Sequence, residues 1–223
     1  MSGRVAEGRI AVAVLAAGRS ERMGAVAKLL LPWRGGPVVV AAVRAALESG
    51  VGPVAVVVSA DPCGDAVEKA LAGLPVTIVR PPAPRLAVAE SVRAAASWAF
   101  PGHDALAITL ADEPDLDPGA LRLAAETWCG TGGCGVVRTR YQDRLGHPVV
   151  ATPGALGEAN LEGDRGIFRA GGGGSDWTAV QYPGPAPRDL DRPSAYTAAS
   201  EQQLAGTEAR ACVTRDTGDS SES

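Results

Sequence analysis

The stretch Ile10-Ala11-Val12-Ala13-Val14-Leu15-Ala16-Ala17-Gly18-Arg19-Ser20-Glu21-Arg22-Met23-Gly24 decides how the rest of the chain is read. Residues 10–15 form an unbroken apolar run, the pattern of a strand buried on both faces. The run enters a loop holding Gly18, Gly24, Arg19 and Arg22, and Lys28 and Pro32 follow. A strand that leads straight into a glycine-containing, basic turn is suited to phosphates. Backbone N–H groups of the turn point at the ligand, and Gly18 lets the backbone come close. Arg19, Arg22 and Lys28 place three cations within ten residues. A triphosphate carries about that much charge, and charge-assisted hydrogen bonds contribute about 1.5–3 kcal/mol each. The loop contains no Gly-Lys-Ser/Thr and no G-x-G. It is therefore neither a Walker loop nor a dinucleotide fingerprint.

Outward from this stretch, 223 residues suffice for one α/β domain with a sizeable core. The net charge of −4 gives no global basic field, which argues against nucleic acid as a partner. The hydrophobic content of 46% is mostly Ala, Val and Leu, as in buried strands covered by small-residue helices. Cys63, Cys129, Cys134 and Cys212 are scattered, and no second close pair or neighbouring His completes a zinc site. They read as reduced thiols. The first apolar run is too short to span a membrane and has no cleavage pattern, so a cytoplasmic protein is expected.

Strands are expected over residues 10–15, 53–58, 75–79, 104–110, 135–139, 148–151 and 176–181. Helices are expected over 38–49, 61–71, 86–99, 118–128, 152–159 and 193–204, with Gly50 ending the first. The proline-rich connection 80–85 cannot be helical. The strand at 148–151 is the one for which an antiparallel course is open, where the sheet rearranges. Residues 1–205 read as a single domain and 206–223, which lack periodicity, as a disordered tail. Strands alternating with helices imply an α/β, three-layer, mostly parallel twisted sheet with helices on both faces. Ligands of such sheets bind at the carboxyl ends of the strands. Asp112 lies at such an end, in Ala111-Asp112-Glu113-Pro114. A hard cation such as Mg²⁺ takes one or two carboxylates plus phosphate oxygens, which makes Asp112 the first candidate metal ligand.

The run Leu15 to Gly24, with Lys28 and Pro32, resembles the signature loop of the MobA-like NTP transferases, most closely the molybdenum cofactor cytidylyltransferase (MocA-type) branch. The resemblance covers roughly residues 8–200. It implies the Rossmann-like nucleotide-diphospho-sugar transferase fold and an NTP held by Leu15, Ala16, Ala17, Gly18, Arg19, Arg22, Met23 and Lys28. Ala111 to Pro114 is similar to the family's GDxP segment, with Ala111 in place of glycine. Asp189-Leu190-Asp191-Arg192-Pro193 is similar to its DxDTP segment, which implies Asp191 as the second metal ligand beside Asp112. Ser91, in a segment similar to GxxxSxR, is implied near the nucleotide base. Gly146-His147-Pro148 and Leu161 to Gly166 resemble acceptor-side segments of the cytidylyltransferase branch, and imply His147, Asp164 and Arg165 as acceptor-binding residues.

The implied reaction moves CMP from CTP to a molybdopterin-type phosphate acceptor with release of pyrophosphate, using Mg²⁺ and the catalytic residues Lys28, Arg19 and Asp112. Leu15-Ala16-Ala17-Gly18 points to CTP, since guanylyl-transferring relatives tend to read Leu-Ala-Gly-Gly. Two alternatives stand beside it. One is guanylyl or other nucleotidyl transfer to a phosphorylated small molecule. The other is a non-catalytic, molybdopterin-binding insertion chaperone. Either cofactor reading implies transient contact with a molybdoenzyme. Glu113 receives no role.

Overall fold

The computed structural model describes residues 9–18, 28–81, 88–133, 135–158, 177–190 and 196–197. The end of the expected domain at 205, the expected tail, Cys134 and Cys212 lie outside them, as does the expected helix 193–204 apart from Tyr196 and Thr197. Strand β1 (Ile10–Ala16) is buried along its whole length, as its apolar run requires. After Lys28 the chain makes a short hairpin, β2 (Pro32–Trp33) and β3 (Gly36–Pro37), turned at Arg34 and Gly35. Helix α1 (Val38–Glu48) follows and stops where Gly50 adopts a φ of 64°.

The loop after α1 returns to the start of β1. A Cβ on Gly52 would stand 1.9 Å from the Ile10 carbonyl oxygen, so only glycine fits there. Then come β4 (Val54–Val58), α2 (Pro62–Ala70) and β5 (Thr77–Val79). Asp61 caps α2 from outside the helix, its carboxylate accepting from Gly64 N at 3.0 Å. Helix α3 (Val88–Ala99), β6 (Ala105–Leu110) and α4 (Pro118–Gly130) complete the next unit. The chain continues with β7 (Val136–Arg140), β8 (Leu145–Ala151), α5 (Pro153–Glu158) and β9 (Trp177–Gln181).

Seven strands form one sheet in the order β5-β4-β1-β6-β8-β7-β9. All its pairs are parallel except the two made by β8. The reversal is forced by length. Only residues 141–144 separate β7 from β8, and Tyr141 N donates to Arg144 O across that turn at 2.9 Å. A parallel return needs a crossover of about a dozen residues.

Alternation along β1 builds both layers. Ile10, Val12 and Val14 pack with α1, α2 and α4. Ala11, Ala13 and Leu15 pack with α3 and α5. The small residues Ala11 and Ala13 meet Ala95 and Ala99 of α3, which lets that helix sit close to the sheet. Each buried Val, Leu or Ile contributes roughly 1.5–3 kcal/mol. Among the described residues no helix is long and apolar enough to cross a membrane, and Cys129 is a free thiol.

Candidate active site

The order of the sheet brings two loops together. β1 and β6 are neighbours, so the segments leaving their carboxyl ends lie side by side. Leu15, Ala16 and Ala17 are buried, while Gly18 is exposed, with nothing among the described residues within 4 Å of where a Cβ would be. The backbone at the mouth of this loop is thus open to a ligand. Arg19, Arg22 and Met23 lie outside the described residues. Lys28 is buried and opens a 3₁₀ turn, Lys28–Leu30. Its Nζ reaches Asp112 Oδ2 at 2.5 Å, joining groups 84 residues apart. Ala111 N donates to Leu15 O at 3.0 Å and stitches the two loops together. The side chains of Lys28 and Asp112 are 8% and 18% exposed, and removing one partner of so enclosed a pair costs about 3–5 kcal/mol. Asp112 does not cap α4. That role belongs to Asp117, which accepts from Gly119 N at 2.7 Å.

The chain after β9 passes the same place. Leu190, fully buried, donates its N–H to the Asp112 carbonyl at 3.2 Å. Asp115 anchors this passage. Arg188 reaches Asp115 at 2.8 Å through Nε and at 2.7 Å through a terminal nitrogen, and Arg34 approaches the same carboxylate at 3.1 Å. Both guanidiniums lie over the Trp33 ring, 5.7 and 5.9 Å from its centroid. Asp189 is exposed; Asp191 lies outside the described residues.

No group of three or more His, Cys, Asp or Glu side chains converges as a metal cage among the described residues. The donors suit a hard cation shared with phosphates, which needs only one or two carboxylates. Asp112 already carries a positive group, the Lys28 ammonium, on its carboxylate. The residue after Leu190 is the aspartate Asp191.

The Gly146-His147-Pro148 segment forms a bulge in β8. The β7–β8 ladder pairs Arg138 with Val149 and then Thr139 with Gly146, leaving His147 and Pro148 without partners in the ladder. Bulges re-aim side chains beside active sites. Their carbonyls are satisfied by side chains of β7 and its turn: Tyr141 Oη donates to His147 O at 2.6 Å, and Thr139 Oγ1 to Pro148 O at 2.9 Å. Gly146 makes room for the Tyr141 ring, which would lie 3.2 Å from a Cβ at that position.

The imidazole of His147 faces Glu113, with Nδ1 3.5 Å from Oε2. Burial pulls the His147 pKa down, but the Glu113 and Asp112 carboxylates outweigh burial and the opposing charge of Arg138, so the net direction is up. Consecutive carboxylates therefore serve different partners: Asp112 meets Lys28, and Glu113 meets His147. Ser91 is buried on α3, and Asp164 and Arg165 lie outside the described residues. Sequence reasoning missed Glu113, Asp115 and Arg188. Only the nearness of Glu113 and Asp115 to Asp112 in the chain hinted at them.

A family model described as MobA-like NTP transferase domain matches residues 12–172. A search of curated protein sequences gives no match to the chain. Among solved structures, Rv0371c from Mycobacterium tuberculosis H37Rv is 28% identical, with a TM-score of 0.73 over 86% of this chain and 98% of that one. A manganese complex of Rv0371c from the same organism is 27% identical, with a TM-score of 0.69 over 85% of this chain and 96% of that one. A nucleotidyl transferase from Methanothermobacter, Mth528, shares the fold at 24% identity and a TM-score of 0.67, over 89% of this chain and 99% of that one.

Proposed function

The chain belongs to the family of MobA-like NTP transferase domains, and from that membership we propose that it transfers CMP from CTP to the phosphate of a molybdopterin-type acceptor, releasing pyrophosphate. The observation that carries nucleotidyl transfer is the contact of Lys28 Nζ with Asp112 at 2.5 Å, beside the open backbone of Gly18. The preference for CTP rests on Leu15-Ala16-Ala17-Gly18 and on the Gly146-His147-Pro148 segment.

In the reaction an oxygen of the acceptor phosphate attacks the α-phosphorus of CTP. The bond from that phosphorus to the α–β bridging oxygen breaks, and its electron pair leaves with pyrophosphate. One phosphoanhydride is exchanged for another, so no nucleophilic side chain is needed. Lys28, Arg19 and Arg22 grip the triphosphate and offset the charge that grows on the leaving group. The loop from Leu15 to Gly18, with Met23, lines the phosphates through its backbone, and Ser91 lies toward the base. A divalent cation, Mg²⁺ in this reading, would be held by Asp112 and Asp191 and would supply charge neutralisation on the phosphates. The Leu190 N–H on the Asp112 carbonyl supports that pairing of carboxylates. Rv0371c, a similar protein, forms a complex with manganese. His147, Asp164 and Arg165 form the acceptor side.

The test is pyrophosphate release with molybdopterin, Mg²⁺ and each of CTP, GTP, ATP and UTP in parallel. Release with CTP alone is expected. Release with GTP alone would move the chain to guanylyl transfer. Pterin binding without release from any NTP would make it an insertion chaperone.

A further inference from the structure

The half of the sheet beyond His147 holds a cation that neither the phosphate loop nor Asp112 uses. Arg138 stands on β7, opposite Val149 of β8 and Ala179 of β9. Val136, two residues earlier, packs on the α3 and α5 face. Alternation puts Arg138 on that same face, nearer the carboxyl edge, with Arg140 one step further on. The Arg138 guanidinium covers the Trp177 ring of β9, 5.5 Å from its centroid. At 39%, Trp177 is the exposed large apolar side chain among the described residues.

Arg138 Nε is buried and has no hydrogen-bond partner among the described residues. None of the ion pairs among the described residues involves Arg138 or Arg140. Burial, and then the charge of Arg140, push the Arg138 pKa down. An N–H donor taken from water without a partner, next to a second cation, lowers stability. Such a cost is found where a ligand supplies the missing acceptor. The position is specific. Arg138 is near enough to His147 for its charge to act on the imidazole. Asp112, His147 and Arg138 follow β6, β8 and β7 in turn across the sheet. β7 is three strand spacings from β1 in that order, about 14 Å. The cations of the β1 loop and those of β7 therefore serve separate anionic groups.

We propose that Arg138, backed by Arg140 and held flat by Trp177, binds the anionic phosphomonoester group of the acceptor beside His147. The guanidinium fork matches two phosphate oxygens at once. Stacking on Trp177 fixes the plane of that fork. The inference rests on reading the β7–β8 half as the acceptor side.

The experiment is calorimetric titration of the full chain without nucleotide. The probes are phenyl phosphate, inorganic phosphate and inorganic triphosphate. The proteins are wild type, Arg138→Met, Arg138→Lys and Lys28→Met. Arg138→Met is expected to weaken phenyl phosphate at least tenfold while triphosphate stays within twofold, with Arg138→Lys in between. Lys28→Met is expected to show the reverse pattern. The unfolding midpoint of Arg138→Met should rise, because an unpaired, half-buried cation has gone; an arginine with a merely structural role would lower it.

The proposal is overturned by equal phenyl phosphate affinity in wild type and Arg138→Met, by no phenyl phosphate binding in wild type, by a parallel loss of triphosphate, or by a lower midpoint. Inorganic phosphate binding at Arg138 as tightly as phenyl phosphate would mark a free-phosphate site and also overturn it. None of these readouts uses CTP or turnover, so a failure of cytidylyl transfer leaves them able to decide.

Discussion

At the scale of single residues, Lys28 and Asp112 form the ion pair on which the proposed chemistry depends. They differ from surface pairs because both side chains are largely enclosed. Asp112→Ala should therefore cost at least about 4 kcal/mol of barrier, roughly a thousand-fold in turnover. A variant that keeps more than a tenth of wild-type turnover would remove Asp112 from the centre. The pair also makes a claim about the free protein. Unfolding of Lys28→Met, Asp112→Asn and the double variant should give a coupling of at least about 1 kcal/mol. A coupling near zero would mean that the ammonium and carboxylate do not meet in solution. Both residues were legible in the chain, since a basic loop after a strand and an aspartate at a strand tip are local patterns. The role of Glu113 was not. Its partner, His147, comes from another strand, and nothing near Glu113 in sequence announces it.

At the scale of elements, the bulge in β8 does most to shape the surroundings of His147, on the proposed acceptor side. The sequence predicts a strand over 148–151 for which an antiparallel course is open. The strand is antiparallel and begins earlier, at Leu145, because the short turn after β7 starts pairing at once. Pro148, which has no N–H to donate, sits where the ladder skips, as proline must. The bulge depends on Tyr141, whose hydroxyl takes the His147 carbonyl and whose pKa burial pushes up. Tyr141→Phe should lose about 1 kcal/mol of stability in denaturant unfolding. It should also raise the Michaelis constant for the acceptor while leaving that for the NTP unchanged. An equal rise in both constants would place the bulge outside the acceptor side.

At the scale of the whole molecule, one cluster ties the beginning, middle and end of the described chain. Asp115 follows the Asp112 loop, Arg34 belongs to the early hairpin and Arg188 to the segment after β9. Asp115→Ala would leave two arginines over Trp33 without their carboxylate. It should cost about 1 kcal/mol of stability, because both guanidiniums are partly solvated. It should also speed hydrogen exchange at the Leu190 amide, which pairs with Asp112. Unchanged exchange there would show that Leu190 is held without the cluster.

The sequence by itself determined the alternation of strands and helices, the buried strands and the positions of a basic glycine loop and an aspartate at strand ends. Those features follow from apolar periodicity and turn chemistry, which act over a few residues. Only the tertiary structure decided the strand order, the reversal of β8, the pairing of Lys28 with Asp112 and of Glu113 with His147, and the half-burial of Arg138 beside Trp177. Each of these joins residues distant in the chain, and their meeting depends on how complete elements pack, which no local pattern encodes.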